Sequence, residues 1–221
     1  MPLGVTVLDH VFILCSPGAP EAAALSRLGL TEGSPNTHPG QGTACRRFFF
    51  RNAYLALVWV RDVEQAQNSL SKPSRLFERW SERQTGASPF GVVLRPDGDE
   101  PGTPPFASWQ YRPRYLPSNV PLEVAVGTRL SEPGFFYLGL PRRRADSPEQ
   151  PIEHSAPLRE LTSVRISIPG PPTESPRAVA AAGLVSFVVC PGPLLEVGFG
   201  PKPGSTGAAD VRPELPLVLR W

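Results

Sequence analysis

Residues 8–14 read Leu-Asp-His-Val-Phe-Ile-Leu, a short apolar run with one imidazole set into it. Side chains alternate across a strand, so the pattern puts His10 on one face with Leu8, Phe12 and Leu14 and predicts that it looks into a concave interior. Ser16-Pro17-Gly18 breaks the run, and residues 20–28 read as a helix with Pro20 and Glu21 in its first turn and Gly29 closing it. Residues 33–43 hold no apolar face and are expected to form a polar loop. Residues 44–50 and 54–60 then read as two strands of a hairpin joined through Arg51-Asn52-Ala53. A mixed helical region over 63–83 is interrupted by Pro73, and residues 90–94 supply a further strand.

The last third repeats this order. Residues 161–168 read as a strand, 175–182 as a short helix ended by Gly183, and 185–190, 194–199 and 217–221 as strands. The interval from His10 to Gly29 nearly matches that from Ser163 to Gly183, so strand and helix stay in step. The expectation is an α+β protein of two tandem βαβββ modules, residues 5–96 and 159–221, whose curved mixed sheets form a shared cleft. Residues 97–158, rich in proline and turn formers, are expected to connect the modules within one compact domain.

Composition narrows the function classes. A 221-residue chain with 29 prolines and 20 glycines is ill suited to long helices, and a formal charge of +2 gives no basis for a nucleic-acid surface. The one basic run, Arg142-Arg143-Arg144, lies among prolines and reads as a solvated loop. Cys15, Cys45 and Cys190 are odd in number and lack metal-knuckle spacing, which fits reduced thiols in a cytoplasmic protein. Residues after Met1 show no signal-peptide pattern, and no apolar run approaches membrane-spanning length. The partners expected are therefore a small-molecule ligand and, in a homodimer, a second copy of the chain; nucleic acid and membrane are not expected.

Candidate chemistry falls in three places. His10 reads either as a functional imidazole or as a core histidine satisfied by its neighbours. In the polar loop, His38, Gln41 and Thr43 lie close together, and Gly40 and Gly42 would let backbone N–H groups approach a ligand; His38 could equally shape its own turn. Trp109, Tyr111 and Arg112 belong to a stretch of aromatics interleaved with arginines, which could grip a planar or anionic ligand or simply cover a sheet edge.

The paired modules, the Leu8-Asp9-His10-Val11 start and the Leu28-Gly29-Leu30 helix end resemble the vicinal oxygen chelate superfamily of glyoxalases, bleomycin-resistance proteins and extradiol dioxygenases. Within it, residues 38–43, 48–55, 88–91 and 111–113 are most similar to the glyoxalase-like domain proteins; the likeness covers most of 5–96 and is weaker over 159–221. The resemblance implies one metal ligand on the first strand of each module and a carboxylate on the third. Carried over, these positions are His10 and Ser163, then Ala56 and Glu196. Only His10 and Glu196 can serve as strong ligands, so a divalent metal (Zn, Ni, Mn or Fe) is expected to be weakly bound or absent. The resemblance leaves three functions open. One is lyase- or isomerase-type chemistry on a small oxygen-bearing metabolite through an enediolate-like intermediate, with His10 or Glu196 moving the proton. The second is a non-catalytic binding or resistance-type protein using the same cleft, and the third is a degenerate interaction module.

Overall fold

A computed structural model describes residues 6–98, 100–139, 150–183, 185–200 and 207–221; the Arg142–Arg144 run lies outside them. The first part of the chain runs β1 (Thr6–Leu14), α1 (Ala22–Arg27), β2 (Asn36–His38), β3 (Thr43–Phe49) and β4 (Tyr54–Val60). Two short helices, α2 (Val63–Ala66) and α3 (Leu76–Ser81), follow on either side of a 3-10 turn over Lys72–Ser74, where Pro73 interrupts the helical pattern. Next come β5 (Phe90–Pro96), β6 (Ser108–Tyr111), β7 (Leu122–Ala125) and β8 (Gly134–Leu138). The chain ends with β9 (Leu161–Ile168), α4 (Glu174–Ala181), β10 (Ser186–Val189), β11 (Leu195–Phe199), β12 (Ala208–Asp210) and β13 (Leu217–Arg220).

The architecture is α+β with curled mixed sheets, as the strand-rich pattern predicts. One sheet has eight strands in the order β2-β3-β4-β1-β5-β8-β7-β6, and the other has five in the order β10-β9-β11-β13-β12. In the large sheet β1 and β5 run antiparallel at the centre, and each has a parallel neighbour, β4 and β8 respectively. Residues 97–158, expected only to connect two modules, instead supply β6, β7 and β8 and so complete this sheet. Their sequence hid this because the strands are only four or five residues long and are separated by proline-rich turns.

The small sheet repeats the centre of the large one. β9 is parallel to β10 and antiparallel to β11, while β11 is parallel to β13, reproducing the relations of β1 to β4, β1 to β5, and β5 to β8. By this correspondence β11 is the counterpart of β5. Glu196 therefore does not share its place in the repeat with Ala56, whose strand β4 corresponds to β10.

Two apolar layers result from strand alternation. Val11, Ile13, Leu55, Leu57, Val92 and Leu94 of the large sheet share one buried core with Val164, Ile166, Val197 and Leu219 of the small sheet, and Leu25 of α1 and Val179 of α4 belong to it. The opposite face of the large sheet carries Phe12, Leu14, Ala56, Val58, Val93 and Phe136 and lines a cleft. The two sheets thus pack back to back through one core, and the cleft belongs to the large sheet alone. No helix among the described residues is long and apolar enough to cross a membrane. Cys15 and Cys45 are buried, Cys190 is exposed, and all three are free thiols.

Candidate functional site

The cleft side of β1 departs from simple alternation at one point. Leu8 pairs with Leu94 and His10 with Val93, so Asp9 is an extra residue inserted into the β1–β5 ladder. A bulge of this kind turns two successive side chains to the same side of the strand. Leu8 consequently packs into the core between the sheets, and Asp9 joins His10 on the other face. The expected grouping of His10 with Leu8 is corrected on this ground, while Phe12 and Leu14 do share the cleft face.

The bulge makes a hydrogen-bonded pair out of chain neighbours. His10 Nδ1 lies 2.7 Å from Asp9 Oδ1, and Asp9 Oδ2 lies 3.4 Å from Arg95 Nε. The carboxylate accepts the Nδ1 proton and leaves the Nε2 lone pair available, the arrangement that orients a general base. The imidazole is further fixed by stacking on Tyr54, with ring centroids 4.2 Å apart and planes 15° apart. Asp9 is 8% exposed, so water competes little for its carboxylate.

The polar end of the cleft is built by the β2–β3 hairpin. Residues 33–43, expected to be a loop, contain β2, whose three residues pair with Thr43–Cys45. Gly42 has φ +75°, and a Cβ there would lie 2.2 Å from the Asp62 carbonyl, so the turn is seated against the start of α2. Asn36 Oδ1 accepts from Thr37 N–H at 3.0 Å, which directs the Asn36 amide nitrogen at His38 Nε2, 3.3 Å away. His38 Nε2 is thereby an acceptor, and the proton on Nδ1 is donated to Thr43 Oγ1 at 2.8 Å. Gln41 Nε2 also donates to Thr43 Oγ1, and Tyr115 donates to Gln41 Oε1 at 3.2 Å. Burial, with smaller contributions from His10 and Arg47, lowers the His38 pKa to about 4, so it is neutral at physiological pH.

A pocket of about 260 Å³ joins these parts. His10, Asn36, His38, Gln41 and Tyr115 line its polar side, and Phe12, Ala56, Val93, Leu122 and Phe136 are among its apolar wall. Thr43 stands behind this polar group and is buried.

The other sequence candidates lie elsewhere. Glu196 alternates with Leu195 and Val197, which are in the core between the sheets, so it occupies the outer face of the small sheet and pairs with Arg220 at 2.7 Å. The expected convergence of Glu196 with His10, catalytic or metal-binding, does not occur: the whole inter-sheet core separates them. Ser163 is exposed on the same outer face. Tyr111 is fully buried with its hydroxyl 3.1 Å from Ser71 Oγ, Trp109 packs beside it, and exposed Arg112 donates to Ser118 O and Gln110 Oε1. None of these three lines the pocket; Tyr115 and Leu116, a few residues on, do.

A divalent metal does not suit the side chains around His10. Its partners across β4 and β5 are Tyr54 and Val93; Ala56 is two residues further along β4, opposite Phe12, and Phe136 lies beyond Val93 on β8. None of these supplies a carboxylate, and no cluster of three or more His, Cys, Asp or Glu suited to a metal occurs among the described residues.

Asp9, Asn36, Tyr54 and Tyr115 are site residues that sequence reasoning passed over. For Asp9 a signal existed: a carboxylate beside His10 in an otherwise apolar strand has no solvent face to occupy.

Residues 8–113 match the family model described as Glyoxalase-like domain, which supports the vicinal oxygen chelate reading of that part of the chain. The crystal structure of a hypothetical protein from Staphylococcus aureus is similar over 98% of both chains, with 9% identity and a TM-score of 0.50, a likeness of fold alone. A xylose isomerase-like TIM barrel/4-hydroxyphenylpyruvate dioxygenase fusion protein aligns over 90% of this chain and 38% of its own, at 10% identity and a TM-score of 0.48. No curated protein matches the chain.

Proposed function

We propose that the cleft of the large sheet binds a small oxygen-bearing molecule and that His10 removes a proton from it without a metal, in lyase- or isomerase-type chemistry. The observation that carries this is the Asp9–His10 pair: a bulge places a buried carboxylate on Nδ1 of an imidazole that lines the pocket. In the step, a C–H bond next to an oxygen-bearing carbon breaks and the proton passes to Nε2. The electron pair stays on the ligand as an enediolate-like fragment, and Asp9 faces the imidazolium that forms. The apolar residues at Ala56, Val93 and Phe136 favour the competing reading, a protein that holds its ligand unchanged in the same cleft.

The test is solvent deuterium incorporation into a panel of small carbonyl and hydroxycarbonyl compounds, read by mass spectrometry. Exchange by the wild type should persist in a chelator, vanish in His10→Ala and fall by about 10²- to 10⁴-fold in Asp9→Asn, the usual span for losing an oriented general base. Exchange that stops on chelation, or that survives His10→Ala, would refute the metal-free base. Ligand binding with no exchange by the wild type would favour the holding protein.

A further inference from the structure

The hydrogen-bonding and charge inventory of the pocket says what kind of molecule fits it. Resting on the reading of this cleft as the ligand site, we infer that its ligand is uncharged, with an apolar or aromatic body and a carbonyl-type oxygen received at the Gln41–Asn36 end.

No Asp, Glu, Lys or Arg is among the described residues that line the pocket. Asp9, the carboxylate beside His10, is engaged by His10 and Arg95. Arg47 is turned away to the Ser34 carbonyl and hydroxyl while its guanidinium lies over Phe49 and Tyr54. A carboxylate or phosphate entering the pocket would lose its hydration with no cation lining the wall to replace it, and an ammonium would meet no anion there. An uncharged molecule escapes that penalty.

The polar end then selects within uncharged molecules. Asn36 and Gln41 carry two amide hydrogens each, Thr43 and Tyr115 one hydroxyl hydrogen each, and neutral His38 one ring hydrogen. The bonds among them use one hydrogen from Asn36, one from Gln41, the His38 ring proton and the Tyr115 hydroxyl. A second amide hydrogen on Asn36 and on Gln41 and the Thr43 hydroxyl hydrogen remain. Rotating the Gln41 amide by half a turn only moves the spare hydrogen to Tyr115. The Asn36, Gln41 and Tyr115 oxygens keep unused lone pairs as well, but a buried N–H without a partner is rarer than an under-used carbonyl, so the spare amide hydrogen of buried Gln41 is the group that an acceptor oxygen on the ligand satisfies. His10 Nε2 offers a basic lone pair in the opposite sense, so the oxygen and the acidic hydrogen of the ligand are read by different residues.

Three probes of nearly one size separate the possibilities: acetophenone, benzoate and ethylbenzene, titrated by calorimetry and by protein NMR. Acetophenone should bind saturably, at least tenfold more tightly than benzoate and several-fold more tightly than ethylbenzene. Gln41→Leu should bring acetophenone to the level of ethylbenzene. Ala56→Trp, which fills the pocket, should abolish binding, and Val93→Phe serves where that variant does not fold. Benzoate binding as tightly as acetophenone, and lost in the filled variants, would overturn the uncharged class while leaving the cleft as the site. Acetophenone binding that is indifferent to both filled variants, or no saturable binding of acetophenone, would overturn the cleft reading itself.

Discussion

His38 shows how one residue can be chemically polar and yet serve a neutral site. Its ring is held between Asn36 and Thr43, with Tyr115 at a centroid distance of 4.8 Å, and burial depresses its pKa from the ordinary 6.5 to about 4. The unfolded chain then binds a proton at His38 between pH 6.5 and 4 that the folded chain refuses, so folding stability falls as pH is lowered through that window. His154, whose pKa burial also lowers, acts in the same direction. Thermal unfolding measured from pH 7 to pH 4 should therefore show a shallower loss of stability in His38→Gln than in the wild type. An identical slope in the two proteins would mean that His38 is not protected from protonation.

At the scale of elements, the β1–β5 pair is both scaffold and cleft floor. Gly91 faces Phe12 across this pair, and a Cβ at Gly91 would lie 1.9 Å from the Phe12 ring, a collision that only movement of the ring or of the strands can relieve. Gly91→Ala should cost about 1–3 kcal/mol of stability, the usual range for overpacking, and should push Phe12 into the pocket. Chemical denaturation reads the first effect and weakened acetophenone binding the second; an unchanged midpoint would show that the ring moves aside freely. Much at this scale was legible from the sequence. Residues 161–168 alternate and are β9, while the Pro73 interruption and the hairpin strands also fall where the pattern puts them. What was hidden depends on pairing partners. Nothing within β6, β7 or β8 says that they extend β5, and nothing within residues 194–199 says that Glu196 belongs to a strand equivalent to β5 rather than β4. His10 was identified from its own surroundings, but the bulge beside it exists only relative to Leu94 and Val93 on another strand.

At the scale of the molecule, the two sheets are joined by buried polar ties as well as by the apolar core. Glu132, in the turn before β8, accepts from Arg129 N, Thr173 N and Thr173 Oγ1, and so anchors the start of α4 to the large sheet. Arg79 of α3, 2% exposed, donates to the carbonyls of Arg129, Leu130 and Glu132 in the same turn. β1 stands between the two layers these ties hold together, its alternate side chains serving the core and the cleft, so its phase matters to both. Deleting one residue from a strand ordinarily turns its side chains on one side of the gap over to the wrong face. Asp9 is the position where this does not apply, because Leu8 already points to the core and His10 to the cleft, and their direct succession would restore an unbroken alternation. Removal of Asp9 should leave a protein that melts within a few degrees of the wild type, whereas removal of Val11 should unfold it; similar losses from both deletions would contradict the phase argument. The carboxylate that holds the His10 ring thus rides on the one residue of the strand that can be inserted or lost without rewriting the rest, so a single codon's insertion or deletion separates the imidazole from its partner while the two-sheet frame stays as it is.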